Sequence, residues 1–134
     1  MPQMHPFNPL PALRLCVAAG AKIDHVRAVF DVIYGKGMQP DTPEGVQAIA
    51  DALGISNPKI AMADILVKNT LRTNTEGAIV DGVFGVPTFL VGGQTFWGDD
   101  ATDMMLNYLD DPSLFDTAEM KRISNMPMGL TRTK

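Results

Sequence analysis

Residues Gly82–Asp100 read GVFGVPTFLVGGQTFWGDD. A loop carrying Gly82 and Gly85 ends in Val86-Pro87, and a run rich in β-formers, Thr88-Phe89-Leu90-Val91, follows at once. Gly92-Gly93 is a turn signal, Gln94-Thr95-Phe96-Trp97 a second short strand, and Gly98-Asp99-Asp100 the opening of a helix. Two strands joined by a glycine pair predict an antiparallel hairpin, because the tight hairpin turns demand positive φ at their central residues. A proline at the mouth of the first strand is tolerated where its missing N–H does not interrupt the ladder. Val86-Pro87 is also a bond at which a cis peptide costs little. In that geometry Val86 turns its backbone polar groups away from the hairpin, toward an extended ligand.

Upstream of this stretch the pattern is helical. Prolines at positions 2, 6, 9 and 11 give a looped start. An apolar helix is expected over Ala12–Ala19, stopped by Gly20. An amphipathic helix follows over Lys22–Lys36, with Ile23, Val26, Phe30 and Ile33 at helical spacing. Thr42-Pro43-Glu44 combines a cap, a proline at the first helical position and a first-turn acid. Val46, Ile49, Ala50 and Leu53 form the buried stripe of that helix. Asn57-Pro58 repeats the start signal for a helix bearing Ile60, Ile65 and Leu66, and a further helical segment runs from Leu71 to Asp81.

Downstream, a helix over Asp100–Leu109 carries Met105 and Leu109 on one face and stops at Asp110-Asp111-Pro112. The remainder holds a short helical turn near Ala118–Ile123 and a polar end, Thr131–Lys134. The 134 residues are thus expected as a single domain: a helical block over 10–81, a ββα unit over 82–110 and a tail over 111–134. A lone hairpin is marginal, and Phe89 and Val91 make its first strand apolar enough to need a neighbour. A homodimer or a completing chain is therefore the expected partner.

Composition narrows the function. A net charge of −4 argues against nucleic-acid binding, which needs a basic footprint. No apolar run approaches the ~20 residues of a membrane span. The opening MPQMHPFNPLP has neither the cationic nor the apolar segment of a secretory signal, so a cytoplasmic location is expected. Cys16, the only cysteine, forms no CxxC pair and sits in the apolar run Leu15-Cys16-Val17-Ala18, where it reads as a small buried hydrophobe. His5 and His25 have no partners at metal spacing, so no metal site is expected.

The order of loop, Val-Pro, strand, glycine turn, strand and helix resembles the C-terminal half of a thioredoxin-like fold. FGVPTFLVGGQTFWGDD is similar to the signature FGxPTFxVxGxxFWGxDR of the 2-hydroxychromene-2-carboxylate isomerases and kappa-class glutathione transferases, within the DsbA-like thioredoxin superfamily. Pro6-Phe7-Asn8-Pro9-Leu10 with Ala12-Leu13-Arg14, and Leu71-Arg72-Thr73-Asn74-Thr75-Glu76-Gly77-Ala78, resemble two further blocks of that family in the right order. In the family a helical domain is inserted between the two halves of a thioredoxin fold. The resemblance covers about Pro6 to Leu109 and implies an α/β, predominantly helical chain.

The resemblance also implies a chemistry. Glutathione is the cofactor, and its thiolate adds to an aromatic pyruvate-type acid, permits rotation and is eliminated. Val86-Pro87 would pair its backbone with the cysteinyl part of glutathione, and Asp100, with Asp99 beside it, would meet the γ-glutamyl ammonium. Asn8 would lie near the tripeptide. Trp97 would wall the aromatic substrate, although burial in the hairpin's core is its plainer reading. The chain departs from the pattern in three places. The family's N-terminal strand-helix-strand, with the serine that faces the sulfur, has no counterpart here. Ala101 stands where the family has arginine, and Asp99 where it has a small or uncharged residue. Two other readings remain: a non-catalytic half-fold that dimerises or binds a partner, and a DsbA-like disulfide oxidoreductase, weakened by the absence of CxxC.

Overall fold

The computed structural model describes residues 1–126, and the chain divides into two units, Met1–Ala78 and Ile79–Lys134. In the first unit, α1 (Leu10–Ala18), α2 (Ile23–Phe30), α3 (Pro43–Ala52) and α4 (Pro58–Ala63) are followed by α5 (Ile65–Val80), whose last two residues belong to the second unit. Their starts are chemically marked. The Thr42 hydroxyl accepts from the Gly45 N–H at 3.2 Å, and the Asn57 side chain accepts from the Ile60 N–H at 3.1 Å. Both caps satisfy N–H groups that a helix leaves without an internal partner. Asp64 leaves helical geometry at ψ 127 and its carboxylate accepts from the Leu66 N–H at 2.7 Å. That break separates α4 from α5, so Ile65 and Leu66 open α5 rather than continuing the helix that bears Ile60.

The core of this unit joins Ala12, Leu15 and Cys16 of α1 to Val29, Val32 and Ile33 and to Ile49 and Ala50 of α3. Burying side chains such as Leu15 and Ile49 completely, at 0% exposure, stabilises the fold by roughly 1.5–3 kcal/mol each. Val46 and Leu53 flank the α3 stripe, half-buried, as its spacing requires. The α2 stripe differs from the sequence reading. Ile23 and Phe30 are 63% and 57% exposed, whereas Val29 and Val32 are buried with Ile33. The covered face carries Val26, Val29 and Ile33, which recur at helical spacing as well and pack with α1 and α3; a π-helical turn, Asp31–Gly35, then follows, closed by the Lys36 N–H donating to the Asp31 carbonyl at 2.8 Å. The wider turn shifts the register after Phe30, and Phe30 packs instead on Tyr34, ring centroids 5.3 Å apart.

The second unit contains an antiparallel hairpin of β1 (Thr88–Val91) and β2 (Gln94–Trp97), as its sequence specifies. Its register pairs Thr88 with Trp97, Phe89 with Phe96, Leu90 with Thr95 and Val91 with Gln94. Gly92 and Gly93 form the two-residue turn at φ +55 and +79, a combination that glycine adopts without steric cost. A 3-10 turn (Asp99–Ala101) leads into α6 (Thr102–Asp110), followed by a second 3-10 turn (Pro112–Phe115) and α7 (Ala118–Ser124).

Phe96, Tyr108 and Phe115 form the aromatic core of this unit, with ring centroids 5.3–6.0 Å apart. Tyr108 is therefore the buried anchor of α6, whereas Leu109 is 54% exposed and Met105 half-buried. The polar end Thr131–Lys134 lies outside the described residues. Among the described residues no helix is long and apolar enough to cross a membrane.

Candidate functional site

The mouth of the hairpin gathers the residues singled out by the sequence, except Asn8. The Gly98 N–H donates to the Pro87 carbonyl at 2.9 Å. This bond brings the exit of β2, and with it Asp99 and Asp100, beside the Val86-Pro87 loop. It also fixes the phase of the ladder. Phe89 and Val91 exchange bonds with β2, and the N–H and C=O groups of Thr88 and Leu90 point to the opposite, open edge of β1. The Val86-Pro87 peptide is cis, as is His5-Pro6. Val86 is 87% exposed, and its backbone N–H and C=O have no hydrogen-bond partner among the described residues.

The loop is shaped by contacts that the residue types alone did not disclose. The Thr88 hydroxyl donates to the Gly85 carbonyl at 2.6 Å. Any side chain at Gly85 would collide with the Trp97 indole, so glycine is what admits that ring. Trp97 is 51% exposed and packs on Phe84, centroids 5.1 Å apart. The core reading of Trp97 is thus corrected: Phe96, one residue earlier, points into the aromatic core, and strand alternation sends Trp97 to the other face.

Asp99 and Asp100 are exposed. Asp100 does not cap the following helix: α6 is preceded by Ala101 with no side-chain cap, and Gly98 precedes the 3-10 turn likewise. Neither carboxylate has a hydrogen-bond partner among the described residues, and the Asp100 Oδ1 lies back against Gly98, where a side chain would collide with it.

Asn8 belongs to the first unit. Its side-chain oxygen accepts from the Leu10 N–H at 3.1 Å, and its own N–H donates to the Asp41 carboxylate at 2.9 Å. It shapes the turn into α1. The Asn8 amide, followed by the Gln39 side chain at 2.8 Å, holds the Asp41 carboxyl below its usual pKa. Cys16 is buried in α1, and burial pushes its thiol pKa up. A reactive thiol needs the reverse, a lowered pKa in an accessible place. Among the described residues no group of His, Cys, Asp and Glu side chains could hold a metal ion.

A ββα unit entered through a cis-proline loop, preceded by a helical block, defines the second half of a thioredoxin-like fold. Residues 2–110 match the DSBA-like thioredoxin domain, and the chain belongs to that family. It is similar to a protein named 2-hydroxychromene-2-carboxylate isomerase from Pseudomonas sp. (strain C18), 30% identical over 87 residues, 62% of this chain and 40% of the relative. A protein of the same name from Pseudomonas putida is 31% identical over 85 residues, 60% of this chain and 41% of the relative. A third, from Sphingobium xenophagum, is 28% identical over 88 residues, 64% and 45% of the two chains. The match spans less than half the length of these relatives. No solved structure gives a significant match.

Proposed function

We propose that this chain supplies the cis-proline part of a glutathione site in an isomerase acting on an aromatic pyruvate-type acid. The observation that carries the reading is exposed Val86, whose backbone N–H and C=O are unpaired among the described residues at the mouth of the hairpin. An extended cysteinyl residue laid along this edge would gain an antiparallel pair of backbone bonds. Asp99 and Asp100, brought alongside by the Gly98–Pro87 bond, offer carboxylates to the γ-glutamyl ammonium. Trp97 and Phe84 present an aromatic wall, on which a flat substrate could lie. The relatives' names supply the reaction class.

In this reading glutathione carries the reactive sulfur. The protein's part is to orient the two reactants and to favour the thiolate by hydrogen bonding. The group that faces the sulfur must come from outside these 134 residues, from a preceding segment or a second chain that pairs along the open edge of β1. The test is a titration of the chain with glutathione, followed by amide resonances. Saturable shifts confined to residues around Val86, Thr88 and Asp100 are expected. Unchanged spectra at millimolar glutathione would sink the proposal.

A second reading rests on the same edge. Thr88 and Leu90 present backbone groups that are unpaired among the described residues, and Phe89 and Leu90 are partly exposed. A strand from a partner would satisfy both. Sedimentation of the chain as a monomer at high micromolar concentration would exclude self-pairing.

A further inference from the structure

We propose that the groove between α1 and α5 binds a small organic carboxylate with an apolar body. The groove lies within the first unit, is open to solvent and has a volume of about 360 Å³, near the lower end of the size of small-molecule sites. From α1 it is lined by Leu10 and Arg14, one turn apart, and from α5 by Lys68, Leu71, Arg72 and Thr75 on one helical face.

Three cations therefore converge on one cavity in a chain whose net charge is −4. The one carboxylate lining it, Glu76, is engaged by Arg72 at 2.8 Å. Arg14 and Lys68 pair with no carboxylate among the described residues. The Arg14 Nε is buried without a hydrogen-bond partner among those residues, an arrangement that costs free energy, and the side chain is half-buried beside the groove.

The lining sets the ligand class. An arginine fork matches the two oxygens of a carboxylate, and Lys68 adds a point charge. Leu10 and Leu71 give the remainder of the ligand an apolar contact that a bare inorganic anion cannot use. The site is independent of the Val86-Pro87 reading.

The probe is 2-naphthoate, titrated into the full chain and followed by amide resonances, with inorganic phosphate and glutathione as parallel arms. Saturable shifts at Leu10, Arg14, Lys68 and Leu71 are expected, with phosphate at least about tenfold weaker. Loss of one charged hydrogen bond should weaken naphthoate about tenfold in Arg14→Gln or Lys68→Gln. Lys68→Gln carries the test by itself if loss of the half-buried Arg14 unsettles α1. Arg27→Gln, which removes an exposed cation paired with Asp24 on α2, should leave binding unchanged. No saturable naphthoate binding, equal binding of phosphate, or indifference to Lys68→Gln would overturn the proposal. Naphthoate binding without any glutathione effect around Val86 would leave the groove standing while the glutathione reading fell.

Discussion

The Gly98 N–H reaches the Pro87 carbonyl at 2.9 Å, and this single bond joins the loop before β1 to the acidic turn after β2. Val86 and the pair Asp99-Asp100 thus become neighbours in space while 13 residues apart along the chain at their closest. Gly98 can make the turn because it sits at φ +88, where a side chain is strained.

Asp100→Asn should weaken glutathione binding about two- to fivefold, the range for an exposed ion pair. Ala101→Arg should tighten it by a similar factor, since the chain otherwise sets two carboxylates and no cation against the carboxylates of the tripeptide. Isothermal titration at low and high salt checks both. Screening should shrink each effect. Equal affinities for the three chains would remove the acidic turn from the site.

Gly92 and Tyr108 carry the second unit. Gly92 lies at φ +55, and a Cβ there would stand 2.6 Å from the Tyr108 hydroxyl. Gly92→Ala should therefore destabilise this unit by about 2 kcal/mol, from backbone strain and a clash with a packed ring. Tyr108→Phe should cost less than about 1 kcal/mol, because the hydroxyl bond to the Gly92 carbonyl is long, 3.4 Å. Tyr108→Ala should cost about 3–5 kcal/mol by emptying the aromatic core. Urea unfolding followed through the ring resonances of Phe96 and Phe115 orders the three.

The hairpin and the caps at Thr42 and Asn57 were legible in the sequence because their signals are local: a glycine pair, a hydroxyl or amide before proline. The buried face of α2 was not. Its apolar residues fit more than one stripe, and which stripe is covered is decided by packing against α1 and α3. Adjacent Phe96 and Trp97 posed a similar ambiguity, since period-two alternation tells that they face apart but not which face is covered. The candidate site was legible mainly through family resemblance. Nothing in the spelling of Asn8 or Asp100 distinguishes a ligand contact from a turn residue, and the absence of a cap at Asp100 became visible only with the 3-10 turn before α6. The groove of Arg14 and Lys68 was hidden because its cations are 54 residues apart.

Gly45 should be the least replaceable glycine of the first unit. It is buried at the start of α3, and a Cβ there would overlap the Gln39 carbonyl and lie 3.2 Å from the Pro40 Cα. Both obstacles are backbone and cannot rotate aside. Gly45→Ala should cost more than about 3 kcal/mol, against about 1 kcal/mol for Thr42→Ala, which removes only the cap. Thermal unfolding by circular dichroism separates them. A Gly45→Ala protein as stable as Thr42→Ala would show that α3 can shift away from the Gln39–Pro40 segment.

Cys16 makes a prediction about alkaline pH. Burial raises the thiol pKa of the folded chain above its ordinary value of 9.0, so the unfolded chain loses this proton first. Between the two values the unfolded state binds fewer protons, and stability must fall as pH rises. The window opens near pH 9 and closes at the folded-state pKa; below it the thiol contributes no slope. Cys16→Ala should unfold more easily at neutral pH, by about 1 kcal/mol for the vacated volume, yet lose less stability than the parent between pH 8 and pH 10. A thiol reagent at neutral pH should label the native chain far more slowly than the urea-unfolded one. Equal labelling rates, or parallel alkaline limbs for the two proteins, would place Cys16 in an accessible setting and reopen a redox role for α1.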